Sequence, residues 1–198
     1  MTKKEIIWRE ILSQVIEKKN IRFTQKELAK KLKVSLSTVF NALKSPRQAS
    51  AIEVRGRYFL VRDKEKLLYL WASIRNLNKE IIYQTHVEGD VQNIESELPP
   101  EIIFATYSAY RQVFKEVPAD YDKVYVYSDK VEEIKKRFPE NKGYINLIVL
   151  KSDKHLKKYG PVTPLAQIFV DLWNLPEWYA KDFLNVLKEK ILCPAEKL

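Results

Sequence analysis

Residues 24 to 45 read TQKELAKKLKVSLSTVFNALKS, and this run decides the fold of the first part of the chain. Thr24 and Glu27 match a capping box, in which each side chain accepts a hydrogen bond from the other residue's backbone N–H. The first helix is therefore expected to begin at Gln25. Its last turn is rich in lysine, which complements the helix dipole.

A second helix is predicted to follow directly. Lys33 and Val34 form the turn, with Val34 facing inward, and Ser35 is the expected N-cap. Pro46 is expected to end this helix, because the residue before a proline disfavours helical backbone. The run therefore encodes two short helices around a tight turn.

The two sides of the second helix differ in character. The expected inward face consists of Leu36, Val39, Phe40 and Leu43. The expected outward face consists of Thr38, Asn41 and Ser45, flanked by Ser37, Ala42 and Lys44. Solvated faces normally carry long charged side chains, whereas this face is short and uncharged at its centre. Such a face lets a helix approach base edges closely, so the pattern indicates entry into the major groove of DNA.

An amphipathic helix precedes this run. Residues 2–19 carry a broad apolar stripe that is expected to pack behind the two helices. Glu5, Arg9 and Glu10 are expected to lie on its solvated side.

A hairpin follows the run. Residues 51–61 read as two strands around a turn in which Gly56 takes a positive φ. Arg55 and Arg57 would lie at the tip, placed to reach a phosphate or the minor groove. A charged hairpin tip that serves solubility is the alternative. Helix, short strand, helix, helix and hairpin is the order of a winged helix-turn-helix.

The basic excess of the chain lies entirely in residues 1–62. These hold 15 Lys and Arg against 5 Asp and Glu, a net charge of +10. Residues 63–198 hold the other 20 Lys and Arg and 21 Asp and Glu, a net charge of −1, which agrees with the formal +9 of the chain. This asymmetry points to a polyanion as the partner of the basic segment.

Length and composition set further bounds. The chain of 198 residues suffices for one small and one medium domain. No run of 18 apolar residues and no signal-like segment occurs, so we expect a cytoplasmic protein without a membrane partner. Cys193 is the single cysteine, which excludes an internal disulfide framework and a cysteine-based zinc site.

Three domains or segments are predicted: a winged helix-turn-helix at 1–62, a linker helix at 63–78 and a further domain at 79–198. The linker helix is expected to be capped by Asp63 and to bury Leu67, Leu70, Trp71 and Ile74. The apolar width of this helix favours a dimer contact, and we expect a homodimer.

Helices and strands alternate in the last segment. The expected strands are 80–87, 123–127 and 144–150, and the expected helices are 89–98, 102–114, 129–138, 162–173 and 176–192. The chain as a whole is therefore predicted to be α+β, with an α/β-like C-terminal part that has a small mixed sheet and flanking helices.

Catalytic sets are not specific in this sequence. Asp120, Asp122 and Lys123 before a strand, with Asp129 after it, come nearest to a nuclease core, but their spacing is wrong. His86 with Glu88 and Asp90 is interpreted as a polar loop rather than as metal ligands. Alternating tyrosines such as Tyr125 and Tyr127 are interpreted as packing rather than as base-stacking platforms. We expect no catalytic residue, no metal and no cofactor.

Three stretches carry a resemblance to a known family: residues 105–111, residues 117–127 and residues 160–173. With the predicted winged helix, they resemble the AbiEi-type antitoxin and transcriptional regulators of type IV toxin–antitoxin systems, particularly archaeal ones. The resemblance implies a repressor of its own operon whose C-terminal domain acts against a nucleotidyltransferase-like toxin. Asp171 matches an aspartate position of that family, and we expect it to make a helix-packing hydrogen bond.

The favoured hypothesis is a sequence-specific regulator that binds double-stranded DNA. Ser37, Thr38 and Asn41 are the candidates for base edges. The candidates for phosphates are Thr24, Gln25, Lys26, Ser35 and Lys44, with Arg55 and Arg57 in the wing. Two alternatives remain open: an antitoxin that works through protein–protein contact, and a nucleic-acid enzyme such as a metal-dependent nuclease.

Overall fold

The computed structural model describes residues 1–192, so the interpretation of Cys193 concerns a residue outside the described range. Within that range, nine α-helices and two β-sheets form an α+β fold, which confirms the predicted class. The contacts divide the chain into two units. The first unit contains Met1–Arg75, Pro164–Val170 and residues 188–192, and the second contains Asn76–Thr163 and Asp171–Leu187.

The first unit is built from helices and a three-stranded antiparallel sheet. Its elements before the second unit are α1 (Lys3–Lys18), β1 (Arg22–Phe23), α2 (Gln25–Leu32), α3 (Leu36–Gln48), β2 (Ile52–Arg55), β3 (Tyr58–Val61) and α4 (Lys64–Ile74). The strand order is β1-β3-β2. Helix, strand, helix, helix and hairpin is the element order that the sequence predicted.

Local sequence signals placed the starts of α2 and α3 correctly. Thr24 and Glu27 form the expected capping box, and α2 begins at Gln25. The Ser35 hydroxyl caps α3 by accepting a hydrogen bond from the Thr38 backbone N–H at 3.1 Å. In the hairpin turn Gly56 has a φ of 55°, the left-handed conformation that glycine adopts without a steric cost.

The polar side chains of α1 were placed wrongly by periodicity. Glu5, Arg9 and Glu10 are 4%, 0% and 2% exposed, although a solvated side was expected for all three. The reason is that long-range partners surround α1 on several sides. The Arg9 guanidinium donates to the Gln167 side chain at 3.1 Å, and Glu5 pairs with Arg75 at 3.3 Å.

Pro46 does not end α3 as predicted, because the helix continues through it to Gln48. A proline within a helix removes the N–H that would bond to the carbonyl four residues earlier, here that of Ala42. The Trp8 indole N–H donates to this carbonyl at 2.8 Å and is buried. A side chain of α1 thus replaces the missing backbone bond, and α3 gains another turn.

The linker helix is shorter and differently oriented than expected. α4 ends at Ile74, whereas a helix over residues 63–78 had been predicted. Asp63 caps this helix as expected. Leu67 and Trp71 are buried, but Ile74 is 46% exposed and Leu70 is half-buried. The buried positions next to the predicted ones are Leu68 and Ala72.

The second unit has a four-stranded mixed sheet. Its elements are β4 (Ile81–Thr85), α5 (Val91–Glu97), β5 (Ile103–Phe104), α6 (Thr106–Phe114), β6 (Val124–Ser128), α7 (Val131–Arg137) and β7 (Leu147–Lys151). Two further helices follow, α8 (Leu165–Trp173) and α9 (Ala180–Leu192), whose residues are divided between the units. The strand order is β4-β7-β6-β5, with only β6 and β7 parallel.

Both faces of this sheet are covered. Val124 and Val126 of β6 pack with Ile94 and Ile134 from α5 and α7 in one apolar cluster. The alternate residues Tyr125 and Tyr127 are 6% and 2% exposed, so these tyrosines are packed as predicted. The short strand β5 was missed, because residues 102–114 had been interpreted as one helix.

Candidate nucleic-acid interface

The buried face of α3 is rotated relative to the prediction. Val39 and Leu43 are buried as expected, but Ala42 and Pro46 complete the buried stripe. Leu36 is 55% exposed and Phe40 is 50% exposed, so neither belongs to the core. The physical reason is the Trp8 contact, since a hydrogen bond to the Ala42 carbonyl draws that side of α3 toward α1.

The solvent side of α3 is consequently not the one expected. Residues three and four apart share a helix face, and Ser37, Asn41, Lys44 and Gln48 follow this spacing. All four are exposed. Thr38 and Ser45, which were expected to stand on the outward face with Asn41, are half-buried at its border. This exposed row, Ser37, Asn41, Lys44 and Gln48, is called the α3 polar row below.

Three hydroxyls converge at the first turn of α3. The Ser35 hydroxyl lies 2.9 Å from the Ser37 hydroxyl and 2.8 Å from that of Thr38. Thr38 therefore has a local hydrogen-bond partner as well as limited exposure. The two serines are exposed and stand where a helix presents unpaired backbone N–H groups, which favour an anion.

The middle of the polar row lacks internal partners. Within residues 1–192, the Asn41 amide makes no side-chain hydrogen bond and Lys44 forms no ion pair. The Lys44 ammonium instead lies 5.5 Å from the centroid of the Phe40 ring. An exposed amide without a partner keeps both its donor and its acceptor available to an external ligand.

The first turn of α2 offers a second set of candidates. The Thr24 hydroxyl is engaged with Glu27, donating to its carboxylate at 2.8 Å and accepting from its backbone N–H at 3.1 Å. Gln25 is half-buried and Lys26 is exposed. Neither side chain has an internal hydrogen bond or ion pair in the described part of the chain. The Lys26 ammonium is therefore available to an external anion.

One carboxylate organises the arginines of the hairpin. Glu53 of β2 accepts from Arg55 at 2.5 Å and from Arg62 at 2.6 Å. Hydrogen bonds from Arg55 and then Arg62 hold the pKa of the Glu53 carboxyl below its ordinary value of 4.5. Arg57 at the tip is exposed and has no ion pair with any residue that the structure describes. Of the two arginines predicted for the hairpin tip, Arg55 is therefore paired with Glu53, whereas Arg57 forms no ion pair within the described residues.

Sequence reasoning missed several exposed groups near these candidates. They are Leu36, Phe40 and Gln48 on α3, Lys33 in the turn and Arg47 in the last turn. The signal that could have found them is the pairing of Pro46 with an upstream tryptophan. A proline at that position leaves the Ala42 carbonyl without its helical donor, and the indole N–H of a tryptophan on a neighbouring helix can supply one.

A different constellation occupies the second unit. The Glu177 carboxylate accepts hydrogen bonds from the hydroxyls of Tyr107 at 3.1 Å and Tyr125 at 3.0 Å, and from the Lys123 ammonium at 2.7 Å. Its side chain is only 6% exposed. We call these four residues the Glu177 cluster. The two hydroxyls and the ammonium group all donate to the Glu177 carboxylate, which is typical of a structural network.

Two of the four residues nearest to a nuclease core, Asp122 and Lys123, belong to this packing. Asp122 accepts from the Tyr179 hydroxyl at 2.5 Å, and Lys123 pairs with Glu177. Asp129 instead pairs with Lys157 at 2.9 Å. The His86 ring Nδ1 lies 2.8 Å from the Tyr144 carbonyl. In the part of the chain that is described, no group of three or more His, Cys, Asp or Glu side chains could hold a metal ion.

Asp171 takes the position expected for a packing group. It is fully buried on α8 and accepts from the Tyr127 hydroxyl at 2.7 Å. Tyr127 lies on β6, so this hydrogen bond joins a helix to the sheet, as predicted.

Helix hydropathy and three comparisons with known proteins bear on the chain as a whole. No helix within residues 1–192 has both the length and the hydropathy that crossing a membrane requires. A scan of protein-family models, a search of curated proteins and a search of solved structures gave no match to this chain.

Proposed function

We propose that this protein is a sequence-specific DNA-binding transcriptional regulator that represses its own operon, acting in the cytoplasm as a homodimer. The α3 polar row carries the proposal, because its Asn41 amide is exposed and without an internal partner. An asparagine amide can bond bidentately to adenine in the major groove. The first unit would be a winged helix-turn-helix, with α3 as the recognition helix.

The charge around α3 supports a polyanionic partner. Lys26, Lys33 and Arg57 are exposed and form no ion pair with the residues described, and Lys44 lies beside Asn41 on the same face. Cations of this kind contact phosphates and fix the register of a protein on a duplex. The resemblance to AbiEi-type regulators, which the three stretches of sequence carry, agrees with operon repression.

Selection of bound duplexes from a random pool, at two salt concentrations, tests this function. We expect a defined motif with two half-sites, whose spacing reports dimerisation. Asn41→Ala should lower affinity at one base position about 5- to 150-fold, the equivalent of about 1–3 kcal/mol. Asn78→Ala, an exposed asparagine in the second unit, is the matched control. Recovery of no motif would refute sequence-specific binding.

Arg57→Ala tests separately whether the tip of the hairpin contacts a phosphate. It should weaken binding to all duplexes alike and reduce the salt slope by about 1, because it removes a phosphate contact. Lys142→Ala, an exposed cation of the second unit, should leave the slope unchanged. A slope that responds equally to both variants would show that the wing has no specific place on the DNA.

A second function, an antitoxin that binds a protein partner, is favoured by the surface beside the Glu177 cluster. Trp178 is 75% exposed and Tyr144 is 56% exposed. Glu177 and Tyr179, the neighbours of Trp178 in sequence, are held by the side chains of Lys123 and Asp122. An indole presented between two fixed residues matches the anchors that dominate protein interfaces.

A nucleotidyltransferase-like protein encoded next to this gene would be the partner to test. Isothermal titration with that purified protein should show binding that Trp178→Ala weakens about thirtyfold or more, which is the loss of about 2 kcal/mol that marks an interface hot spot. Asn41→Ala should bind this partner like the wild type. Equal binding by the Trp178 variant would exclude this surface as the contact.

A further inference from the structure

Two large apolar side chains lie at the edge of the exposed side of α3. Leu36 is 55% exposed and Phe40 is 50% exposed. Since they are four residues apart, they stand one above the other on the helix surface and form a continuous strip. We call this pair the α3 apolar strip.

The apolar strip adjoins the polar row. Phe40 directly precedes Asn41, and the Lys44 ammonium lies 5.5 Å from the Phe40 ring centroid. Lys44, a member of the polar row, therefore contacts the apolar strip as well. The strip and the row would contact the same ligand.

The charge around the strip limits the chemistry of that ligand. Lys33 precedes α3, Lys44 lies over the ring, and Arg47 follows in the last turn, all exposed and without an ion pair in the described chain. No acidic side chain occurs on α3. A polyanion is favoured at such a surface, so the apolar strip requires an apolar group carried by a polyanion.

Double-stranded DNA carries one such group in its major groove, the C5-methyl group of thymine. We propose that Leu36 and Phe40 contact thymine methyl groups and thereby select A·T pairs at two positions of the recognised site. This inference rests on the proposed DNA-binding function. It adds recognition by apolar contact to the hydrogen bonding assigned to Asn41.

Deoxyuridine is the direct probe, because it differs from thymidine only by the C5-methyl group. Each thymine of the selected duplex is replaced singly by deoxyuridine, and affinity for the full-length protein is measured. Wild type should lose about fourfold at the contacted positions, the value of one buried methyl group. With Phe40→Ala or Leu36→Ala, the loss at the corresponding position should disappear.

The variants are expected to fold, because about half of each of the two side chains is already exposed to solvent. Val113→Ala, which truncates a side chain that is 43% exposed in the second unit, is the matched control and should keep the full pattern of deoxyuridine losses. Thermal denaturation of all three variants verifies that the fold is retained.

The outcomes separate the two levels of the proposal. If the wild type selects no duplex, the DNA-binding function fails. If it selects a duplex whose deoxyuridine forms all bind equally, DNA binding stands and the methyl contact is overturned. Losses that persist unchanged in both variants also overturn it, since other residues would then contact the methyl groups.

Discussion

The α3 polar row and the Glu177 cluster are both rich in polar groups, but their groups have different partners. Asn41 and Lys44 on the polar row face solvent without an internal hydrogen bond or ion pair among the described residues. The Glu177 side chain is 6% exposed and accepts from three side chains. A polar group that is satisfied internally stabilises the fold, whereas one that is left exposed and unpaired is available to a ligand. This difference supports the proposal that α3 recognises a ligand, whereas the Glu177 cluster stabilises the fold.

The largest effect is expected from Glu177→Ala. The substitution removes the acceptor of two tyrosine hydroxyls and of the partly buried Lys123, which should lower the free energy of unfolding by about 3 kcal/mol. Chemical denaturation measures this loss. Glu132→Ala removes an exposed carboxylate of the same unit and should change the free energy by less than about 0.5 kcal/mol.

DNA affinity adds a second readout to the same variant. Under conditions where it is folded, Glu177→Ala should bind the selected duplex like the wild type. The distinction between a structural cluster and a recognising helix would be wrong if this variant were as stable as Glu132→Ala, or if it lost DNA binding while folded.

Alkaline pH should destabilise the second unit. Burial, with the negative charge of Glu177, raises the pKa of the Tyr107 and Tyr125 hydroxyls above the ordinary 10.0. Burial with a hydrogen bond to Asp122 does the same for Tyr179. Because the folded pKa is raised, the stabilisation is complete below pH 10.0 and is lost as pH rises further, when the unfolded chain releases these protons.

Tyrosinate absorbance during an alkaline titration measures this effect. We expect a class of tyrosines that ionises only together with unfolding, which circular dichroism follows in parallel. Tyr107→Phe should reduce the amplitude of that class by one tyrosine. Ionisation of every tyrosine before unfolding would contradict the buried arrangement of the cluster.

Signals within a few residues predicted the local structure well, and partners far along the chain explain the failures. The capping box of Thr24 and Glu27 needs four consecutive residues, so the sequence predicted the start of α2. The rotation of α3 depends on Trp8, which is 34 residues from Ala42. Periodicity describes a single helix and carries no information on such a partner.

The candidate site shows the same limit. The sequence proposed Asn41 and Lys44 on an exposed face, and both are exposed, but it assigned Leu36 and Phe40 to the core. Apolar residues at helical spacing are normally buried, but here Ala42 and Pro46 belong to the buried stripe and Leu36 and Phe40 do not. Likewise, Arg9 was expected outside because its partner Gln167 is 158 residues away.

The Trp8–Ala42 hydrogen bond can be tested by a double-mutant cycle with Pro46. Trp8→Phe leaves the Ala42 carbonyl without its donor, whereas Pro46→Ala restores a backbone N–H that can bond to it. Trp8→Phe should therefore cost about 1 kcal/mol less in the Pro46→Ala background than in the wild type. Chemical denaturation of the four proteins gives the coupling. Additive effects would show that the indole does not replace the missing backbone bond.

The smallest effect is expected at Glu53, where the hairpin combines both kinds of polar partner. Arg55 and Arg62 are exposed, as recognition requires, yet both donate to one carboxylate at 2.5 Å and 2.6 Å. Glu53 therefore holds the two guanidinium groups in the way that a phosphate would. Glu53→Gln should release them, raise the affinity for any duplex several-fold and steepen the salt slope by up to about 1.8, the value for two added phosphate contacts.

Glu132→Gln is the matched control for this last variant, because it adds the same charge in the second unit. If only Glu53→Gln steepens the salt dependence of DNA affinity, Arg55 and Arg62 can contact phosphates, like the exposed groups of α3. Equal slopes for both variants would instead place these arginines with the internally satisfied groups, as in the Glu177 cluster. Arg57 would then be the single cation of the hairpin turn that contacts DNA. The hairpin itself would then contain both kinds of polar group, structural ones at Arg55 and Arg62 and a DNA-contacting one at Arg57.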